Sequence, residues 1–329
     1  MMPGNNMTKA KVDAIAASIL SGRIRNIMIL SGAGVSTASG IPDFRSVGGM
    51  YDTLKPNLLT ATEEQRQAMR IDPIHVVSLD LFRETQLPYL ELRRPFILGL
   101  GGNQWRPTLM HFLSDVLHKK GLLTRVYTQN IDGLDFKTSV PPKKIIPVHG
   151  SLMVIKCESC KTEMDSAKFR ELTRTHIKDI YNSGDDLAPK KSSPIPCPSC
   201  GKPYMKPDTV LYGSSLPREF FMHWELDAQS SDLLIIAGTS LTVGPANRLP
   251  GLIRNSVPRL VLNNEEVGMG LGLNYAPNST DTLLKGSCDS GCIALLQALG
   301  WLENMAVYES ELCDESAKLL RSHLNAEVR

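Results

Sequence analysis

The chain has 329 residues, 42% hydrophobic and 21% charged, with a formal net charge of +2 from 36 basic and 34 acidic side chains. This is an ordinary globular composition, long enough for one large domain with insertions or for two domains. Balanced charge gives no footprint for nucleic acid or an anionic membrane as main partner, and no apolar run approaches the roughly 20 residues that cross a bilayer. Residues 1–9 are polar with no signal-peptide apolar core behind them, and seven cysteines are an odd number for a disulfide framework. The expected compartment is therefore intracellular, cytoplasmic or nuclear.

Val12, Ile15, Ala16, Ile19 and Leu20 predict a helix over 8–21, stopped by Gly22. Ile27-Met28-Ile29-Leu30 reads as a buried strand running into Ser31-Gly32-Ala33-Gly34-Val35-Ser36-Thr37. A strand, tight glycines and a helix start present backbone N–H groups to a phosphate in α/β proteins. Gly32 and Gly34 would let the backbone approach a pyrophosphate, with Ser36 or Thr37 adding hydroxyls. Thr37 stands where the third glycine of the dinucleotide fingerprint belongs, so taken alone the loop also fits a plain structural turn. Beyond the stiffening Pro42, Asp43, Phe44 and Arg45 add an acid, a ring and a cation. Residues 46–60 read as a loop over the ligand, and 61–100 as helix in pieces broken at Pro73, Pro88 and Pro95. Leu109, Met110, Leu113, Val116 and Leu117 predict an amphipathic helix over 107–119, closed by Gly121.

Residues 126–129 and 145–148 read as further parallel strands, ending in Asn130-Ile131-Asp132-Gly133 and His149-Gly150. Polar groups at C-terminal strand ends match the rule for ligand sites in open α/β sheets. Residues 156–205 hold few large aliphatics but two motifs, Cys157-x-x-Cys160 and Cys197-x-x-Cys200. Four thiolates complete a tetrahedral structural zinc site with no position left for a catalytic water. Between the motifs, Asp185, Asp186, Lys190 and Lys191 suggest a solvated loop. Strand character returns at 209–212 and is strongest at 233–237, which runs into Gly238-Thr239-Ser240. Residues 260–262 lead into Asn263-Asn264-Glu265, a helix over 291–299 closes the sheet, and the tail from 303 reads as charged, helical and peripheral.

These strand-end clusters, in this order around a four-cysteine module, resemble the sirtuins, the NAD-dependent protein lysine deacylases, over residues 24–301. The motifs Gly32-Ala33-Gly34-x-Ser36 and Gly40-Ile41-Pro42-Asp43-Phe44-Arg45, with Gln129-Asn130-Ile131-Asp132 and His149-Gly150, form no general nucleotide-binding pattern. The resemblance implies an α/β fold: a Rossmann-type parallel sheet with helices on both faces, plus a smaller domain of a zinc-ribbon insertion and a helical insertion. On that pattern 1–50, 103–150 and 206–302 form the NAD-binding domain, 51–102 the helical insertion, 151–205 the zinc module and 303–329 the tail.

NAD and zinc are the implied cofactors, with zinc on Cys157, Cys160, Cys197 and Cys200. Gly32, Ala33, Gly34, Ser36 and Thr37 would hold the pyrophosphate and nearby ribose; Asp43, Phe44 and Arg45 would belong to a mobile cofactor loop. Asn130, Ile131 and Asp132 would line the nicotinamide pocket, and Gln129 would meet a ribose hydroxyl. Gly238, Thr239, Ser240, Asn263, Glu265 and Cys288 would contact the adenosine side. An acyl-lysine peptide would lie between Val210, Leu211, Tyr212 and Gly213 on one side and Val243 and Gly244 on the other, by β-augmentation. His149 is the expected general base, because an imidazole with an unperturbed pKa of about 6.5 suits removal of a ribose hydroxyl proton near neutral pH. His111, on the amphipathic helix, reads as packing.

The chain departs from the family at Tyr212-Gly213-Ser214, where Phe-Gly-Glu is common, and at Arg93-Arg94-Pro95-Phe96-Ile97, where aromatic acyl-pocket residues are frequent. Phe96 on an apolar tunnel implies acetyl or fatty acyl groups; Arg93 or Arg94 turned inward implies acidic ones. Without the tyrosine and arginine pair of desuccinylating relatives, acetyl-lysine is the expected substrate, on histone or other proteins. Mono-ADP-ribosyl transfer to protein and a non-catalytic NAD-binding scaffold are the competing readings, and oligomeric state stays open.

Overall fold

The computed structural model describes residues 3–42, 49, 51–99 and 105–327, so Asp43, Phe44 and Arg45 lie outside the described residues. Its strands are β1 (Ile27–Ser31), β2 (Leu123–Thr128), β3 (Ile145–Pro147), β4 (Gly150–Cys157), β5 (Glu163–Met164), β6 (Met205–Thr209), β7 (Leu233–Ala237), β8 (Arg259–Asn263) and β9 (Thr282–Lys285). The first helices are α1 (Pro3–Leu20), α2 (Glu63–Ile71), α3 (Leu79–Glu84), α4 (Leu87–Gly99), α5 (Leu109–Lys119) and α6 (Ser166–His176). They are followed by α7 (Arg218–Ser230), α8 (Leu249–Leu252), α9 (Cys288–Leu299), α10 (Leu302–Ala306) and α11 (Asp314–Glu327).

Six strands form one parallel sheet in the order β3-β2-β1-β7-β8-β9. Counted within the sheet alone this is the doubly wound order of a Rossmann-type fold, which reverses between β1 and β7. Both faces are covered, which is why the strands read as unbroken apolar runs. Ile27, Ile29, Leu233 and Ile235 pack with α1, α5, α9, α10 and α11. The alternate residues Met28, Leu30, Leu234 and Ile236 pack against Phe220 of α7 and Leu249 of α8.

The tail beyond residue 303 is built into this core. Met305, Tyr308, Leu312 and Leu320 join the first layer, and the Tyr308 ring stacks on Phe112 at 4.4 Å. Its buried positions are interspersed with charged Glu303, Glu309, Glu311, Asp314, Glu315 and Lys318, so composition hides them.

A second core joins the two insertions. Met69, Phe82, Tyr89 and Leu92 pack with Leu152, Ile155, Phe169, Ile195 and Met205. Its sheet is antiparallel, in the order β5-β4-β6. Here β6 starts at Met205, ahead of the strand expected over 209–212, and Tyr212 makes only a single bridge to Ser78. Lys206-Pro207-Asp208 disguises the strand. Lys206 is buried, with its ammonium 2.7 Å from the Thr209 carbonyl and 3.2 Å from the Glu158 carboxylate.

The segment expected as a solvated loop between the cysteine motifs is also ordered. It forms α6, buries Phe169 and Ile177, and sends Asp185 to the buried Arg94 at 2.7 Å. Two short 3-10 turns, Ala33–Val35 and Thr37–Ser39, follow β1 in place of the expected helix start. Pro95, expected to break the chain, sits inside α4.

Candidate active site

The sheet order reverses between β1 and β7, and the loops leaving these strands interlock. Gly32 N–H donates to Ala237 O at 2.9 Å and Gly34 N–H to Gly238 O at 2.8 Å. A Cβ on Gly34 would stand 2.7 Å from the Gly238 Cα, and one on Gly238, at φ 59°, would stand 2.5 Å from the Val35 nitrogen. Glycine is thus demanded first by the contact between the two loops. The same bare backbone leaves a shallow cradle open to a ligand phosphate.

Above it lies a cavity of about 520 Å³. Ala33, Gly34 and Thr37 line one end together with Gly238, Thr239, Ser240, Asn263 and Glu265. Gln129, Asn130, Ile131 and His149 form the wall, and Val210, Leu211, Tyr212, Gly213, Val243 and Gly244 the mouth. The hydroxyl of Thr239 donates to Gln129 Oε1 at 2.6 Å, locking β7 to β2 across the switch point. His149 Nδ1 lies 3.0 Å from the Gln129 carbonyl oxygen. A carbonyl only accepts, so Nδ1 carries the hydrogen and the neutral ring keeps its lone pair on Nε2, the tautomer a general base needs. At the mouth, Val210 N–H donates to His149 O, and Tyr212 pairs with Val77 and Leu79.

Four expected ligand residues sit elsewhere. Gly32 is wedged between Gly238 and Thr239 beneath the cavity. Ser36 and Asp132 are buried behind the wall, with Ser36 Oγ donating to Asp132 Oδ2 at 2.8 Å and accepting from Asn130 Nδ2 at 3.1 Å. Asp132 Oδ1 accepts Leu134 N–H at 2.9 Å. Asp132 therefore orients Asn130 through a serine and does not face the cavity itself. Burial and then the neighbouring Asp132 charge push the Asp135 carboxyl above its ordinary range, although His111 opposes the shift. Cys288 turns its thiol to the Leu262 carbonyl at 3.5 Å, and burial pushes that thiol up to about 12. His111 is buried and accepts the Thr108 N–H at 3.1 Å, closing a cap at the start of α5.

Arg93 lines the cavity while only 5% exposed. Its neighbour Arg94 points away, donating to Ile177 O at 2.8 Å and Asp185 at 2.7 Å. Successive helical residues diverge by about 100°, so the two side chains cannot share one direction, and packing decided which of them faces the cavity. Phe96 packs on Trp105, with ring centroids 5.7 Å apart, and does not line the cavity. Phe221 and Asn264 also line the cavity, and sequence reading missed both. Asn264 adjoins an expected contact, whereas Phe221 carried no signal beyond a helical apolar position.

The four motif cysteines converge, their sulfurs all within 4.8 Å of one another. Cys157 Sγ lies 3.7 Å from Cys200 Sγ, and Cys160 Sγ 3.6 Å from Cys197 Sγ. A tetrahedron with Zn–S bonds of about 2.3 Å has edges of about 3.8 Å, so this donor set fits zinc. The two turns match: Lys161 (φ 60°) and Gly201 (φ 70°) each send an N–H back to the first cysteine of their motif. The Thr162 hydroxyl lowers the Cys160 thiol to about 6, toward the thiolate a metal requires.

The family model described as the Sir2 family matches residues 32–245. The chain belongs to the Sir2 family. Among its relatives, "NAD-dependent protein deacetylase sirtuin-2" of Danio rerio is 35% identical over 335 aligned residues, covering 95% of this chain and 79% of the relative. "NAD-dependent protein deacetylase hst2" of Schizosaccharomyces pombe is 33% identical, with coverages of 95% and 82%. "NAD-dependent protein deacetylase sirtuin-3" of Mus musculus is 31% identical, with coverages of 92% and 80%. The Sir2-family match takes in the glycine loop, both strand-end motifs, His149 and all four cysteines. Among the described residues no helix is long and apolar enough to cross a membrane.

Proposed function

We propose that this protein removes acyl groups from protein lysines with NAD as co-substrate and one water consumed, yielding nicotinamide, O-acyl-ADP-ribose and free lysine. One observation carries the reading: a single cleft holds the glycine cradle, Asn130 and a histidine in the base tautomer. NAD, when bound, supplies an electrophilic ribose carbon as nicotinamide departs. His149 takes the ribose hydroxyl proton at Nε2. Asn130, held by Ser36 and Asp132, orients the nicotinamide end, and Gln129 the ribose. Ala33, Gly34 and Thr37, at the same end of the cleft as Gly238, face the pyrophosphate, with Asn263 and Glu265 beyond. The acyl-lysine peptide runs between Val210–Gly213 and Val243–Gly244, reading backbone more than side chain. Zinc on the four cysteines holds the 151–205 module and takes no part in the chemistry.

Arg93 favours a second reading of the acyl group, in which a carboxylate at the end of the chain meets the guanidinium. The deciding experiment offers NAD with one peptide bearing acetyl-, succinyl- or myristoyl-lysine and follows nicotinamide and deacylated peptide by mass spectrometry. Equimolar release of both is expected. ADP-ribose left on protein with the acyl-peptides untouched would overturn deacylation. If Arg93 reads a carboxylate, Arg93→Leu should lower the succinyl rate relative to the acetyl rate by about tenfold, the scale of one charge-assisted hydrogen bond.

A further inference from the structure

Residues 206–211 lead from the zinc module to the mouth of the cleft. Strand β6 ends at Thr209, and Thr209, Val210 and Leu211 line the cavity. Ladder pairing holds this segment poorly. β6 is an edge strand of its sheet, and its register with β4 is broken, since Asp208 opposes Ser151 while Pro207 opposes Ile155. Pro207 has no N–H to offer, and carbonyls on an open strand edge need a donor from elsewhere.

Two buried polar side chains take up that role at Thr209. Lys206 is 2% exposed, and its ammonium donates to the Thr209 carbonyl at 2.7 Å and to the Pro207 carbonyl at 3.2 Å. Tyr89 of α4 is equally buried and brings its hydroxyl to 2.6 Å from Thr209 Oγ1. The next residue, Val210, donates its N–H to the His149 carbonyl at 2.8 Å. Behind it, a Cβ on Gly150, at φ 76°, would stand 2.0 Å from the Asp208 carbonyl oxygen, so the segment presses directly on the histidine's neighbour. Thr209 is thus held by its carbonyl and its hydroxyl, one residue from the contact to His149. Burying an ammonium is costly, and an apolar side chain of the same length would fill the space without that cost. The charge serves to hold the two carbonyls.

We propose that Lys206 and Tyr89 are positioning residues: through Thr209 they fix the Val210–Leu211 segment against His149 and so set the fit of the acyl-lysine peptide. The inference rests on the deacylase reading above. Neither side chain lines the cavity, so both act through Thr209. The dinucleotide end of the cleft, at Ala33, Gly34 and Gly238, lies away from this clamp, so loosening it should weaken peptide use and spare the dinucleotide.

The test compares the full chain with Lys206→Met and Tyr89→Phe. It uses NAD and whichever of the acetyl-, succinyl- and myristoyl-lysine peptides the parent turns over fastest. Zinc content and affinity for ADP-ribose, which lacks nicotinamide, are measured beside the kinetics. Lys206→Met should raise the KM for acyl-peptide about tenfold, the scale of one charge-assisted hydrogen bond, and lower kcat by a similar factor. Tyr89→Phe, which deletes one hydroxyl, should move both in the same direction by about fivefold. The KM for NAD, ADP-ribose affinity and zinc content should stay within about twofold. A merely structural role would lower the folded fraction, and with it the apparent kcat, while leaving the peptide KM unchanged. A peptide KM within about twofold of the parent in Lys206→Met, or loss of its zinc or ADP-ribose binding, would overturn the part given to the lysine. An unchanged peptide KM in Tyr89→Phe, which keeps the apolar packing, would overturn the clamp even where Lys206→Met fails to fold. Turnover of none of the peptides by the parent would instead remove the deacylase reading.

Discussion

The central strands of the large sheet, Ile27–Ser31 and Leu233–Ala237, are buried at every position, sandwiched between two apolar layers. The small β5-β4-β6 sheet is different: Met153 and Val154 are 44% and 38% exposed, and β5 is two residues long. Burial alone can hold the first. The second leans on four cysteine sulfurs and on helices of the other insertion, including Arg94 and Glu91 of α4, which grip Asp185 and Ser192. A region with little apolar surface substitutes metal ligation and buried polar contacts for hydrophobic area.

Removing zinc tests that contrast most severely. Structural zinc contributes roughly 10–16 kcal/mol of apparent binding energy in small zinc domains, so chelation or Cys160→Ala should unfold the small sheet and abolish activity. Amide exchange should accelerate at Met205–Thr209 while Ile27–Ser31 stays protected. Equal loss of protection in both sheets would break the comparison. His149→Ala stands at the seam between them. It should lower turnover by about 10²- to 10⁴-fold with ADP-ribose affinity and the thermal midpoint nearly unchanged, and near-normal turnover would remove the proposed base.

Leu234→Ala, in the fully buried strand β7, should cost about 2–5 kcal/mol in urea unfolding without releasing zinc. Zinc loss at the same denaturant concentration would mean that the two regions unfold as one. The smallest effect concerns pH. Burial, the largest single influence, pushes the Asp185 carboxyl up, but the hydrogen bonds from Arg94 and the Leu187 N–H and the charges of Arg94 and Arg174 together outweigh it and hold it below the ordinary range. A lowered acid stabilises the folded state above its unfolded pKa of about 3.9 and loses that contribution as pH falls through the folded value. Proteolysis within 177–195 should therefore be flat above about pH 5 and rise below about pH 4, and Asp185→Asn should remove the pH dependence for a loss of about 1 kcal/mol.

Local chemistry that each residue carries with it was legible in advance. The glycine loop, the polar strand ends, His149 and the paired cysteine motifs each stood out by residue type and spacing, and the structure gathers Gly34, Gln129, Asn130 and His149 around one cavity and the four sulfurs within 4.8 Å of one another. The same held for β1 and β7, since a strand buried on both faces must be apolar throughout.

What sequence left undecided depended on partners far along the chain. Lys206 is a strand residue because Glu158 and the Thr209 carbonyl receive its charge. The tail is core because Phe112 awaits Tyr308. Asp185 is ordered because Arg94 is buried opposite it. Likewise, that Arg93 faces the cavity and Asp132 stands behind it was decided by helix rotation and by Ser36, 96 residues from Asp132 in sequence. Spacing along the chain specifies which groups are available. Only close packing in three dimensions selects which side of a wall each one occupies, because two side chains cannot fill the same volume.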